Sequence, residues 1–326
     1  MELGIGLKPD GTPLTTVELV KLAEKNGLSH AWIVDSQLLC SDVYVNLALA
    51  ALATKRIKLC TGVTNPYTRH PTVTANAIVT INEISQGRAV LGLGAGFSSA
   101  IPLGITPTLE ECRKMIHALA RLFRGEYATF DGKRVKLGHL EKEAGIPIYL
   151  AASRPKMLEL AGELANGVII SAGADPLLIR RAIDCVRAGS EKAGRDFSEL
   201  DIVCNIGCSI SEDGLKAKDE ARTFAARRAM DMIDRLPKEA AHMKRNATRI
   251  ASEYDLSQHL SVGAKHARFV TDEMVEKFTL SGTPQEVMSK AIRIKNLGVK
   301  EISAFLVTKR RSKVIEYLGM IRRNVG

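Results

Sequence analysis

Four short segments concentrate the residue types able to bind a ligand or react with it. Asp35 and Ser36 follow the apolar run His30-Ala31-Trp32-Ile33-Val34. A carboxylate at such a strand end accepts a hydrogen bond from a ligand's ring N–H or hydroxyl, or equally well caps the next helix. Thr61-Gly62-Val63-Thr64-Asn65-Pro66-Tyr67 combines glycine, small polar groups and proline. This mixture lets backbone approach a flat ligand closely, or simply turns the chain into a helix at Pro71. Gly92-Leu93-Gly94-Ala95-Gly96-Phe97 has a glycine spacing like that of a dinucleotide fingerprint. However, no helix opens directly after Phe97 and no βαβ unit with a distal acid follows, so those glycines make room for a ligand or a tight turn. Ala151-Ala152-Ser153-Arg154-Pro155-Lys156 ends a strand and opens a helix near Pro155. Free N–H groups, the helix dipole and a neighbouring guanidinium suit an anion there, a phosphate above all, with an ordinary capped turn as the alternative.

Other catalytic patterns are missing. The seven histidines form no HExxH or facial triad, and no GxSxG occurs. His70, just before Pro71, reads as a structural histidine. The six cysteines, Cys40, Cys60, Cys112, Cys185, Cys204 and Cys208, make no CxxC and have no zinc-spaced histidine pair. Cys204 and Cys208 share one face of a strand and read as buried thiols. No metal site is expected and no catalytic acid, base or nucleophile is named. Chemistry on this chain therefore calls for a cofactor, with the protein binding and orienting it.

Segments of this kind work together only if strands hold their ends at one side of a sheet. Apolar runs predict strands at Leu3–Leu7, His30–Val34, Ile57–Thr61, Arg88–Leu93, Pro147–Leu150, Val168–Ser171, Ile202–Ile210 and Glu301–Leu306. Helical periodicity fills the gaps: from a cap at Thr15 or Thr16 to Gly27, from Asp42 to Thr54, after Pro71, and over about 107–124, 155–165, 176–193 and 284–297. Strand–helix alternation means a parallel sheet covered by helices, and eight units favour closure into a (β/α)8 TIM barrel over an open sheet. Two stretches break the rhythm. Residues 126–137 carry Asp131-Gly132 between apolar residues, a β-hairpin signature. Residues 212–278, after the seventh strand, form a long helical insertion interrupted by Pro237. The expected organisation is one domain over residues 1–326.

Composition agrees with a folded enzyme-sized domain. The 326 residues are 45% hydrophobic and 25% charged, and a barrel needs about 250 residues. Net charge is +10, which attracts polyanions or merely keeps the surface soluble. Aromatics are only 5% and do not alternate with the basic residues, so a nucleic-acid platform is not expected. No apolar run is long enough for a membrane span and no signal-peptide pattern opens the chain. A cytoplasmic protein with reduced thiols, acting on a small-molecule substrate, is the expectation.

The strand-end segments carry a family resemblance. Ala31-Trp32-Ile33-Val34-Asp35, the run from Gly62 to Pro71, the run from Glu83 to Gly94, the run from Pro155 to Glu163, and Ser281-Gly282-Thr283-Pro284 resemble the luciferase-like monooxygenase superfamily. The likeness is greatest to its F420-dependent methylenetetrahydromethanopterin reductase branch, covers nearly the whole chain and is weakest over 212–278. It implies a TIM barrel with the deazaflavin of coenzyme F420 at the C-terminal strand ends, FMN being the alternative cofactor. By this resemblance Asp35 would contact the ring system, Gly62-Val63 would be a non-prolyl cis peptide bulging behind it, and Ala152, Ser153 and Arg154 would hold the phosphate. The candidate cofactor set is Asp35, Ser36, Gly62, Val63, Thr64, Gly94, Ala95, Gly96, Ala151, Ala152, Ser153 and Arg154. The implied activity is hydride transfer between F420 and a small organic substrate. An FMN-dependent monooxygenase and a cofactor-binding barrel without turnover are the rivals, and a homodimer is expected. Three positions depart from the family pattern: Ser36 stands where His often follows the aspartate, Phe97 where an acid often follows the glycines, and Asn166-Gly167 replaces Asp-Gly.

Overall fold

The structure, a computed structural model, describes residues 1–234 and 240–325. Pro237 lies outside the described residues. In chain order the elements are β1 (Glu2–Leu7), α1 (Pro13–Lys25), β2 (His30–Ile33), α2 (Val43–Ala53), β3 (Lys58–Thr61), α3 (Pro71–Ile84), β4 (Ala89–Leu93) and α4 (Leu109–Phe123). Then come β5 (Ala128–Phe130), β6 (Lys133–Val135), β7 (Ile148–Ala152), α5 (Pro155–Leu164), β8 (Gly167–Ile170), α6 (Pro176–Lys192) and β9 (Asp201–Ile210). The remainder is α7 (Gly214–Met232), α8 (Ala241–Ser252), α9 (Asp272–Phe278), β10 (Thr279–Gly282), α10 (Pro284–Lys295), β11 (Glu301–Leu306) and α11 (Arg311–Val325).

Local chemistry explains most of the boundaries. Asp42 caps α2 by accepting from the N–H groups of Tyr44 and Val45. His70 caps α3 ahead of Pro71, the structural role expected of it. Thr283 and Glu286 form a reciprocal capping box at α10. The first helix corrects the sequence reading: its cap is Thr12, not Thr15 or Thr16. Pro13, with its φ preset and no N–H to lose, occupies the first helical position and starts the helix earlier.

Strands β1, β2, β3, β4, β7, β8, β9 and β11 pair in parallel in that order, and β11 returns to β1 with Glu301 opposite Glu2. This is the closed (β/α)8 barrel. β5 and β6 make the antiparallel hairpin. One strand was not legible beforehand. β10 pairs in parallel with Gly207–Ile210 of β9, on the edge whose lower half, Asp201–Cys204, pairs with β8. The excursion between β9 and β10, which carries α7, α8 and α9, therefore leaves and returns at one place, where the Ser211 N–H donates to the Gly282 carbonyl at 3.1 Å.

Side chains alternate between the barrel's interior and the helix shell. Inside, Trp32, Cys60, Val90, Tyr149, Ile169 and Val203 fill the middle of the barrel and leave no pore. Outside, the aliphatic faces of strands and helices form one large core that includes Cys204 and Cys208, both fully buried. α2 is apolar on nearly every side, yet Val45 and Leu52 are 53% and 75% exposed. Among the described residues no helix is long and apolar enough to cross a membrane.

Candidate cofactor site

Above the middle layer the C-terminal strand ends diverge into an open cleft with about 910 Å³ of empty volume. Its floor is Val63, Ala151, Asn205, Ser303 and Phe305, from β3 round to β11. The Gly62–Val63 peptide is cis, as the family likeness implied. Small residues keep this floor open: a Cβ on Gly94 would lie 2.6 Å from Val63 Cγ2, and one on Gly92 would lie 2.2 Å from the Thr61 carbonyl. Gly96 lines the cleft with φ of 79°, in the left-handed region that favours glycine. Asn205 Oδ1 is buried and without a hydrogen-bond partner among the described residues. A buried acceptor left unpaired costs about 1–3 kcal/mol, which a ligand donor would relieve.

Asp35 sits at the rim of the cleft, 5% exposed, at the end of β2. Its Oδ2 accepts from Thr64 Oγ1 at 2.8 Å and from Arg69 Nη1 at 2.6 Å. Arg69 also donates to Asp42 at 2.8 Å and lies over the Tyr44 ring, whose hydroxyl donates to Thr64 at 3.3 Å. Burial works against the Arg69 charge, but Asp35 and Asp42 outweigh it and hold the guanidinium above its usual range. The carboxylate is thus pinned on one oxygen, and Oδ1 has no hydrogen bond among the described residues.

The twelve anticipated residues divide accordingly. Asp35, Gly62, Val63, Gly96 and Ala151 line the cleft together. Thr64 stands behind Asp35 as its orienting donor, and Gly94 lies against Val63. Ser36 turns away and donates to the Ser98 carbonyl at 3.1 Å. Ala95 is not among the lining residues. Ala152 is buried, Ser153 half-buried and Arg154 exposed at the start of α5, just beyond Ala151. That helix opens on Arg154 with no side-chain cap; Pro155 has no N–H and the Met157 and Leu158 N–H groups donate to the Arg154 carbonyl, which leaves the Lys156 N–H and the helix dipole to face an anion.

The roof was missed. α7 lowers Phe224, Arg227 and Arg228 over the barrel mouth, and the turn after α8 adds His259 and Leu260. Arg227 lies 3.7 Å over the Phe97 ring and pairs with Asp231. Arg228 donates to the Ser171 carbonyl at the end of β8 (3.1 Å) and pairs with the same Asp231 at 3.1 Å. Phe97 packs against His259, whose Nδ1 lies 2.6 Å from the Tyr254 hydroxyl. Burial, then the charges of Arg227 and Arg228, push His259 down to about 3, so this imidazole is neutral at physiological pH. Only the i, i+3, i+4 spacing of Phe224, Arg227 and Arg228 could have signalled this face, and it reads equally as a solvated stripe.

At the closed end of the barrel, a second polar group is sealed away. Glu301 Oε1 accepts from Trp32 Nε1 at 2.9 Å, and its Oε2 lies 3.0 Å from His30 Nδ1. A Cβ on Gly4 would fall 2.3 Å from Glu301 Oε1, so glycine is needed there. Burial pushes Glu301 up to about 8 and, with Lys58 next in effect, His30 down to about 3. Both are neutral near pH 7, and His30 Nδ1 also lies 2.9 Å from Ser29 Oγ. Glu2, His30 and Glu301 have metal-ligand spacing. The cluster lies at the end of the barrel opposite the cleft, the face where barrel residues serve stability.

Comparison with known proteins narrows the chemistry. A family model described as luciferase-like monooxygenase matches residues 2–301. The chain is 35% identical to the 5,10-methylenetetrahydromethanopterin reductase of Methanolobus tindarius, covering 98% of each chain. It is 37% identical to the same-named enzyme of Archaeoglobus fulgidus, covering 93% of each. Among solved structures, the coenzyme F420 dependent tetrahydromethanopterin reductase of Methanopyrus kandleri superimposes with a TM-score of 0.80 at 28% identity, over 98% of this chain and 97% of that one. An F420-dependent secondary alcohol dehydrogenase, bound to an F420-acetone adduct, gives 0.81 at 19% identity over 100% of both chains, a likeness of fold.

Proposed function

This chain belongs to the luciferase-like monooxygenase family, and from that premise we propose that it is an F420-dependent oxidoreductase resembling methylenetetrahydromethanopterin reductase. It moves a hydride between coenzyme F420 and a small organic substrate. The observation that carries this is the cleft floor, where the cis Gly62–Val63 peptide, Gly94 and Ala151 leave a surface free of bulk beside a pinned carboxylate.

The cofactor supplies a deazaflavin carbon that gives or accepts the hydride. The residues supply position and environment. Val63 and Ala151 would support one face of the ring, with Gly94 leaving them space. Asp35, oriented by Thr64 and Arg69, would accept a hydrogen bond through Oδ1 and fix the ring's rotation. Asn205 would accept another from the floor. The open helix start at Ser153 and Arg154 would hold the phosphate, with favourable dipole and charge. Phe224, Leu260 and Phe305 would exclude water and hold the substrate carbon close. Ser36 and Phe97 offer no acid or base.

Two further statements accompany this reading. The chain forms a homodimer through α2 and the start of α3, supported by the exposure of Val45 and Leu52 on the apolar surface of α2 and of Val73 beside it. It works in the cytoplasm, supported by six cysteines that are all free thiols.

The test is titration of the purified protein with F420 and with FMN, followed by cofactor absorbance or fluorescence. Saturable F420 binding that Gly94→Leu weakens at least tenfold is expected. Preferential FMN binding would support the monooxygenase alternative. F420 binding with no reduction or oxidation by any donor or acceptor, reduced pterins included, would support a barrel without turnover.

A further inference from the structure

The roof arginines lie outside the cofactor cradle at the strand ends. We propose that Arg227 and Arg228 form the recognition site for an anionic group, a carboxylate or phosphate, on the substrate that enters above the cofactor. The word substrate rests on the F420 reading; the anion site itself does not.

Three observations carry it. First, these side chains turn inward: Arg227 and Arg228 are only 9% and 12% exposed, and both line the cleft. Arginine on a cover helix kept for solubility would extend into water, where its charge is hydrated without cost. Second, both are held in fixed poses. Arg227 is laid flat on Phe97 at 3.7 Å, and Arg228 is tied to the Ser171 carbonyl at 3.1 Å. Stacking uses the face of a guanidinium and leaves its N–H donors projecting from the edge, the arrangement that receives a carboxylate or phosphate in bidentate fashion. Phe97, at a position where the family often has an acid, thus supports a cation. Third, the charged residues lining the cleft are these two guanidiniums and Asp35, and Asp35 is itself bound to Arg69. Asp231 braces both arginines from behind, on their own helix. His259 beside them is neutral and places no charge against a ligand. The roof therefore repels cations and favours anions, while Phe224, Leu260 and Phe305 give the same cleft an apolar wall. The substrate class that fits joins an acidic group to an apolar or planar body.

Two anions could reach these arginines, the substrate's and the cofactor's own phosphate, so the experiment separates them. Inorganic phosphate and citrate are titrated calorimetrically, at constant ionic strength, into F420-loaded and cofactor-free protein. Wild type, Arg227→Met, Arg228→Met and the matching Lys variants are compared, with thermal melting as the folding control. Expected are saturable anion binding to the loaded wild type, at least a tenfold loss in each Met variant, a smaller loss in the Lys variants, and F420 affinity changed less than threefold. Three results would each overturn the proposal. One is the absence of anion binding to loaded wild type. Another is binding that the Met and Lys variants retain in full. The last is loss of F420 affinity in the Met variants while the deazaflavin lacking phosphate and glutamates still binds, which would hand the arginines to the cofactor. If wild type binds phosphate through these arginines but not F420, the anion site stands and the F420 reading fails.

Discussion

Glu301→Gln isolates one buried proton. In the native protein burial lifts Glu301 from 4.5 to about 8, and the hydrogen bond from Trp32 only partly offsets this. The folded chain thus keeps a proton that the unfolded chain releases. Stability from this group is whole below about pH 4.5 and declines as pH rises, until the native acid itself ionises near 8. Each pKa unit is worth about 1.4 kcal/mol. Between about pH 6 and 8.5 the wild type should lose about 2–3 kcal/mol through this residue, or about 4 °C in melting temperature for a chain of this length. The amide of Gln cannot ionise, yet it still accepts from Trp32 and keeps a neutral polar group beside His30. The variant should match wild type at about pH 4.5 and below, exceed it by about 2 kcal/mol at pH 6, and gain about 2–3 kcal/mol more by pH 8.5. Urea unfolding of both proteins at several pH values checks this, and other titrations cancel in the difference. Parallel stability curves for the two proteins would refute the idea of a protonated glutamate in the barrel.

Three more outcomes are expected. Gly94→Leu should lower F420 affinity at least tenfold and also lower the melting temperature, because even its Cβ would stand 2.6 Å from Val63 Cγ2 and displace the cleft floor; fluorescence titration and thermal melting measure the two effects. Asp35→Ala should cost about 3 kcal/mol in urea unfolding and weaken F420 binding, since Arg69 loses its buried partner, while Asp35→Asn should cost less. Leu52→Lys combined with Val45→Glu should convert a dimer to monomers in sedimentation equilibrium without altering the circular dichroism spectrum.

The barrel was legible because its strands are short apolar runs, such as Ala31-Trp32-Ile33, with a turn or cap at each end. β10 was not, because Thr279-Leu280-Ser281-Gly282 carries little apolar signal. Its burial comes from pairing with β9 and from Lys290, whose Nζ donates to the Thr279 and Ser281 carbonyls at 3.3 Å. The cap of α1 was misjudged because three threonines, Thr12, Thr15 and Thr16, compete locally; Pro13 decides among them. At the site, strand-end glycines and Asp35 announced themselves by type and place. The roof did not, since Phe97 and Arg227 meet only after the excursion folds back over the mouth. Likewise nothing local showed that Ser36 turns away from the ligand while Thr64 turns toward Asp35.

The shared edge of β9 has a consequence for how such a protein can change. Its lower half seals a continuous hoop with β8, while its upper half is zipped to β10, so the wall is complete below and slit above. The excursion stands with both feet in that slit, joined by one Ser211–Gly282 bond. A segment of other length or charge, planted on the same two feet, would give the cleft a new ceiling without shifting a single register in the hoop. Substrate choice and coenzyme choice can therefore be altered independently, as separate modules of one chain.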